Sequence, residues 1–151
     1  MANLYIPNLK QVIDLLSDPK NEARIARNWV KEPIVQEIFA KYDIDSMYFL
    51  ENYGLHIIEY FALVIQEKSE IGDCPYAVKL VEEFIEKNIK VGEIFLICSN
   101  LKKNVIDFFF NYLDDSNIKM KDLFDEVNFV FDQNLAGILN TYVEKSKEYY
   151  F

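Results

Sequence analysis

The sequence predicts an all-α domain, and three observations carry the prediction. The first is the stretch 91–113, VGEIFLICSNLKKNVIDFFFNYL. Val91, Ile94, Phe95, Cys98, Leu101, Val105, Phe108, Phe109 and Tyr112 recur there at three- and four-residue steps, the spacing of one helix face. Leu96, Ile97, Ile106 and Phe110 widen that face beyond an ordinary surface stripe, so a central helix walled in by others on nearly every side is expected. The second is a set of further helical repeats, each bounded by short capping or breaking signals. The third is punctuation: 4 Gly and 4 Pro leave little turn chemistry for a β-rich fold.

The elements follow in order. Asn8 is placed to cap a short helix over 9–16, carrying Val12, Ile13, Leu15 and Leu16, and Asp18-Pro19 ends it. A second helix opens at Lys20 or Asn21, with Ile25 and Trp29 on one face and Arg24 and Arg27 off it. Pro33 breaks the chain, and Ile34, Val35, Ile38 and Phe39 define a third short helix. After the joint Asp43-Ile44-Asp45, with Asp45 or Ser46 as cap, a longer helix covers about 47–68. Its inner set is Tyr48, Leu55, Ile58, Phe61, Ala62 and Ile65, widened by Ile57, Tyr60 and Val64.

The turn Ile71-Gly72 precedes Asp73, which reads as the cap of an amphipathic helix with Pro75 in its first turn. That helix turns Ala77, Val78, Val81, Phe84 and Ile85 inward and Lys79, Glu82, Glu83, Glu86 and Lys87 outward. Asn88-Ile89-Lys90 leads into the central helix, and Asp114-Asp115-Ser116-Asn117 closes it. The last helix covers about 119–149, with a stripe of Leu123, Val127, Val130, Phe131, Leu135, Ile138 and Tyr142. It reaches Tyr-Tyr-Phe with no Gly or Pro stop, the pattern of a helix that runs on into another segment.

Residues 88–95 are echoed by 117–124. In both, an acidic residue stands three positions after a Lys, where it can bond the N–H groups of a helix start, and an Ile sits just outside. The echo reads as two similar helix entries rather than a duplicated domain.

The 151 residues suit one domain, and the 51% apolar content supports a full core. A net charge of −9 disfavours nucleic acid and anionic membrane surfaces as partners, because phosphate binding needs a face rich in Lys and Arg. The two cysteines, Cys74 and Cys98, lack metal or redox spacing and read as reduced thiols, one in a loop and one in the core. The N-terminus lacks a signal-peptide pattern and no apolar run is long enough for a membrane span, so a cytoplasmic location is expected.

No phosphate loop, nucleophile elbow or zinc spacing occurs, and the sequence implies a non-enzyme with no cofactor. His56 is the only histidine and sits at a polar margin beside Asn52, Glu59 and Gln66. Haem ligation and phosphotransfer are the two roles it offers as alternatives. A bundle metal site would want an acid three residues before it, and Tyr53 stands there. Phe108-Phe109-Phe110 cannot share one helix face, since successive residues point about 100° apart. These three, with Phe131, Ile138 and Tyr142, are the candidate residues of a subunit interface or an apolar pocket.

Asn28-Trp29 followed by short helices, the helix pair near 47–68 and 73–88, and the entry at 88–95 running on to Leu101 and Phe108 give a pattern that covers most of the chain. It resembles the N-terminal sensory domains of RsbR-type stressosome proteins and related non-haem globin-like input domains of bacterial signalling proteins. The resemblance implies a globin-like bundle of six to seven helices. It also implies homodimerisation and a last helix that passes a signal to an output domain or partner. Lys102 or Lys103 would match the basic residue often found in that family's long helix.

Overall fold

Proline and aspartate cut the first third of the chain into short helices. The structure, a computed structural model, describes residues 14–65, 74–112 and 120–150, and every regular element among them is helical. They are α1 (Pro19–Val30), α2 (Pro33–Lys41), α3 (Ser46–Phe49), a π-helical turn (Leu50–Gly54), α4 (Leu55–Ile65), α5 (Pro75–Glu86), α6 (Val91–Tyr112) and α7 (Met120–Tyr150). The expected cap at Asn8, most of the 9–16 helix, the turn at 71–72, Asp73, the closing residues 113–117 and the second copy of the echo lie outside the described residues. So do the side chains of Ile65, Tyr112 and Leu123.

Local chemistry sets the ends. Asp18 caps α1, its Oδ1 accepting from the Lys20 N–H at 2.9 Å, and Asp45 caps α3 through the Tyr48 N–H at 2.9 Å. Helix α1 starts at Pro19, ahead of the expected Lys20 or Asn21, because a proline's missing N–H costs nothing in the first turn. Helices α2 and α5 end alike: Asp43 (φ 57°) and Asn88 (φ 60°) enter the left-handed region, and the next residue's N–H bonds back across the last turn. Ile44 N–H reaches Phe39 O at 2.8 Å, and Ile89 N–H reaches Phe84 O at 3.1 Å. The expected acid at the start of α6 is in place, with Glu93 accepting from the Lys90 N–H at 3.0 Å.

Four expectations are corrected. Tyr48 is exposed, while Phe49, Leu50 and Tyr53 are buried. The π-helical turn inserts one residue into the helix and rotates everything before it by about 100°. On α5, Val78 is exposed and Leu80 takes the inward place beside Val81, Phe84 and Ile85. The cap position of that helix is Cys74 rather than the expected Asp73; Cys74 lies in the loop as expected, is buried there, and makes no side-chain capping bond. The fourth correction concerns α6. Ile94, Ile97, Leu101, Val105, Phe108 and Phe109 are buried, but Val91, Phe95, Leu96 and Phe110 are exposed. The helix is covered by α1 and α2 on one side and α7 on the other, and its remaining side is open in the single chain. The width of its apolar surface was read as cover within the chain, and the chain supplies cover for only part of it.

Helices α6 and α7 run antiparallel: Lys102 meets Asp132 at 3.5 Å, and eight residues on Phe110 meets Phe124, eight residues back, with ring centroids 5.0 Å apart. Trp29, Phe39, Phe49, Phe84 and Phe109 are the largest fully buried side chains, and each stabilises the fold by about 1.5–3 kcal/mol relative to exposure.

Candidate functional site

Helices α1, α4, α5, α6 and α7 enclose between them a cavity of about 80 Å³. Trp29 reaches it from α1, Phe61 from α4, Val81 and Phe84 from α5, Ile97 and Leu101 from α6, and Phe131 and Ile138 from α7. The Trp29 indole N–H donates to Ile97 O at 2.8 Å, so its polar atom is satisfied and the ring contributes carbon surface to the wall. The Phe61 and Phe131 rings stand 4.4 Å apart across the α4–α7 contact.

Gly137 lies on the α7 wall, and a Cβ built there would meet no atom within 4 Å. A mid-helix glycine costs about 1 kcal/mol against alanine, so the open space is kept at the expense of helix stability. Polar groups are few: Tyr60, Asn134 and Thr141 are the hydrogen-bonding side chains of the wall besides the Trp29 indole and the two thiols. The Thr141 hydroxyl donates to Gly137 O at 2.8 Å and keeps its lone pairs for a further donor. Both cysteines open onto the cavity. Burial pushes the Cys98 thiol up to about 12 and the Cys74 thiol upward as well, so both are held protonated. No Lys, Arg, His, Asp or Glu lines the cavity among the described residues.

The six sequence candidates separate into four places. Phe108 and Phe109 belong to the buried core, their centroids 5.8 Å apart. Phe131 and Ile138 line the cavity, and Tyr142 ties α7 to the α5–α6 turn by donating to Ile89 O at 2.6 Å. Phe110 points outward. Trp29, Cys74, Cys98, Gly137 and Thr141 were missed as site residues. The one signal that marked any of them is the glycine inside the helical repeat of α7.

His56 does not line the cavity. Its ring stacks on Tyr76 at 4.2 Å and lines a surface groove with Glu22 and Glu59. Burial, then the charges of Glu59 and Asp18, raise the Glu22 carboxyl to about 7. Carboxylates so placed oppose an incoming phosphoryl group. Haem does not fit the cavity: the one imidazole is elsewhere, the thiols are protonated, and the wall offers no cation for propionates. Among the described residues no three His, Cys, Asp or Glu side chains gather as they would around a metal ion.

A second feature is the outer side of the α6–α7 pair. Phe95, Ser99, Lys102, Ile106 and Phe110 form a stripe on α6, and Phe129, Asp132, Ala136 and Val143 form one on α7. The exposed Lys102–Asp132 contact joins the two stripes across the seam. Phe95, Phe110 and Phe129 are 47%, 53% and 55% exposed, which leaves roughly 300 Å² of aromatic surface in water, with Val91, Leu96 and Val143 adding to it. That is the size of the largest apolar patch on a typical monomer, which is often a functional surface. No family model, curated protein or solved structure matches this chain.

Proposed function

We propose that the chain is a non-enzymatic, globin-like regulatory domain that homodimerises through the outer side of α6 and α7 and passes a signal along α7 to an output domain or partner protein. The observation that carries the reading is the double duty of α7. One face of this helix supplies cavity wall through Phe131, Leu135, Ile138 and Thr141, and another carries Phe129 and Val143 into water. A change inside the cavity therefore bears on the same rod that presents the open face.

A second copy is the occupant that suits the open face. The chain carries −9 overall, yet the stripes themselves pair Lys102 with Asp132, which lowers the like-charge repulsion between two copies on this side. The 22 residues of α6 laid beside α7 cover about 33 by 20 Å, close to the ~800 Å² per partner of a stable interface. The short helices ahead of an antiparallel pair of long helices, with a cavity between them, support the globin-like arrangement.

Light scattering at micromolar concentration tests the reading. The expected mass is that of two chains, falling to one chain in a Phe95→Glu, Phe129→Glu double variant that keeps its helical circular dichroism. A wild-type mass of one chain would contradict it.

A further inference from the structure

We infer that the central cavity is a binding site for a small, neutral, mostly apolar molecule of about one aromatic ring, carrying at most one hydrogen-bond donor.

Size comes first. A single water needs about 10–15 Å³ and an apolar cavity of about 150 Å³ takes benzene; this cavity holds about 80 Å³, so it takes a group larger than one or two waters and at most one small ring. Water is a poor occupant, because each buried water wants two to four polar partners and this wall is almost wholly carbon. An apolar ring gains what water loses: dispersion contact with Trp29, Phe61, Phe84 and Phe131, and removal of its own surface from water.

Charge comes second. With no charged side chain among the described lining residues, a carboxylate or an amine would be buried without a counter-charge, which costs several kcal/mol. The occupant is therefore neutral. Polarity comes third. Thr141 Oγ1, with its own proton given to Gly137 O, accepts one hydrogen bond from the ligand. Phenols meet these demands, and simple arenes meet all but the last.

This assignment deepens the regulatory reading and rests on it only for the consequence of binding. Binding is measurable whatever the oligomeric state. A monomer that binds the probe overturns the dimer and keeps the cavity site, and a dimer that binds nothing does the reverse. The probes are 4-methylphenol, toluene and 4-methylbenzoate, titrated into the whole chain by calorimetry. Emission of Trp29, the only tryptophan and a wall residue, is read in parallel with red-edge excitation.

The expected result is saturable binding of 4-methylphenol, one per chain, with a change in Trp29 emission and at least tenfold weaker binding of 4-methylbenzoate. Thr141→Val should weaken 4-methylphenol severalfold and leave toluene unchanged. Cys98→Leu and Ala77→Leu, from two different walls, should each weaken both neutral probes at least tenfold while keeping a cooperative thermal transition. The wild-type comparison of neutral and charged probes stands even where a filled variant fails to fold. Absence of saturable binding by both neutral probes, equal binding of the benzoate, or undiminished binding in the folded filled variants would overturn the assignment.

Discussion

The two sides of α6 are joined to their neighbours by different physics. Toward α1 and α2 the seam is stitched by directional bonds. Trp29 donates to Ile97 O, Asn104 donates to Glu32 at 3.2 Å, Lys103 meets Glu32 at 2.9 Å, and Lys41 and Tyr42 both reach Glu93. Toward α7 the contact is apolar, it borders unfilled volume, and the exposed Lys102–Asp132 pair spans it. Hydrogen bonds have narrow geometry, whereas apolar contacts tolerate sliding. The first seam therefore fixes a frame, and the second leaves α7 as the element that moves with fewest bonds broken.

Truncation should separate the two sides most strongly. Trp29→Ala removes a fully buried ring and its hydrogen bond to the Ile97 carbonyl, and should cost about 3–5 kcal/mol. Phe131→Ala removes a ring that already faces open volume on one side, so fewer contacts are lost, and about 2–3 kcal/mol is expected. Urea unfolding midpoints decide the matter, and equal losses would erase the distinction.

Enlargement should have opposite signs on the two sides. Cys98→Leu adds carbon where space exists and should stabilise by about 0.5–2 kcal/mol. Val105→Leu adds it in fully packed core and should destabilise by about 1–3 kcal/mol. Thermal unfolding of both variants reads the signs directly.

Acid titration sharpens the picture further. For Glu93, burial alone would raise the carboxyl, but bonds from Tyr42, Lys41 and the Lys90 N–H overcome it and hold it below its ordinary value. Its stabilisation is present above the unfolded value and is lost as pH falls through the lower folded one; Glu93→Gln should remove that acid-side loss. Glu22 behaves in reverse. Raised to about 7, it binds a proton in the folded chain that the unfolded chain has released, so stability falls as pH rises from about 4.5 to about 7. Glu22→Gln should flatten that slope in urea unfolding measured across the range.

The smallest effects belong to the exposed ion pairs. Lys102→Ala and Lys103→Ala should each cost about 0.2–1 kcal/mol, less in high salt. A loss of several kcal/mol at Lys102 would mean that the α7 seam is held more like the other than its geometry implies.

Much of this architecture was legible from spacing and punctuation. The cap at Asp45, the turns at Asp43 and Asn88, the starts at Pro33 and Val91 and the buried faces of α1, α2 and α7 all follow from local chemistry that needs no partner. The π-helical turn was not legible, because one inserted residue leaves every local propensity unchanged and alters only which side chains face inward. The open side of α6 was not legible either. An apolar face reports that something should cover it, not whether the cover lies in the same chain. The cavity escaped for a third reason: it is made of residues from five helices, and apolar residues around a space read the same in sequence as apolar residues around a core. Gly137 was a signal left unread, since glycine inside a helix needs a reason.

The account comes down to α7 serving the cavity and the open face at once. The measurement that tests this is the dimer dissociation constant by sedimentation, taken with and without saturating 4-methylphenol. Where α7 couples the two sites, linkage makes the effect reciprocal: the ligand bound against α7 changes the affinity of a second copy for its outer side by the factor by which that copy changes the ligand's. The account predicts a shift of at least about fivefold, the lower end of the usual range of coupling. Identical dimer constants in the presence and absence of the bound phenol would contradict it.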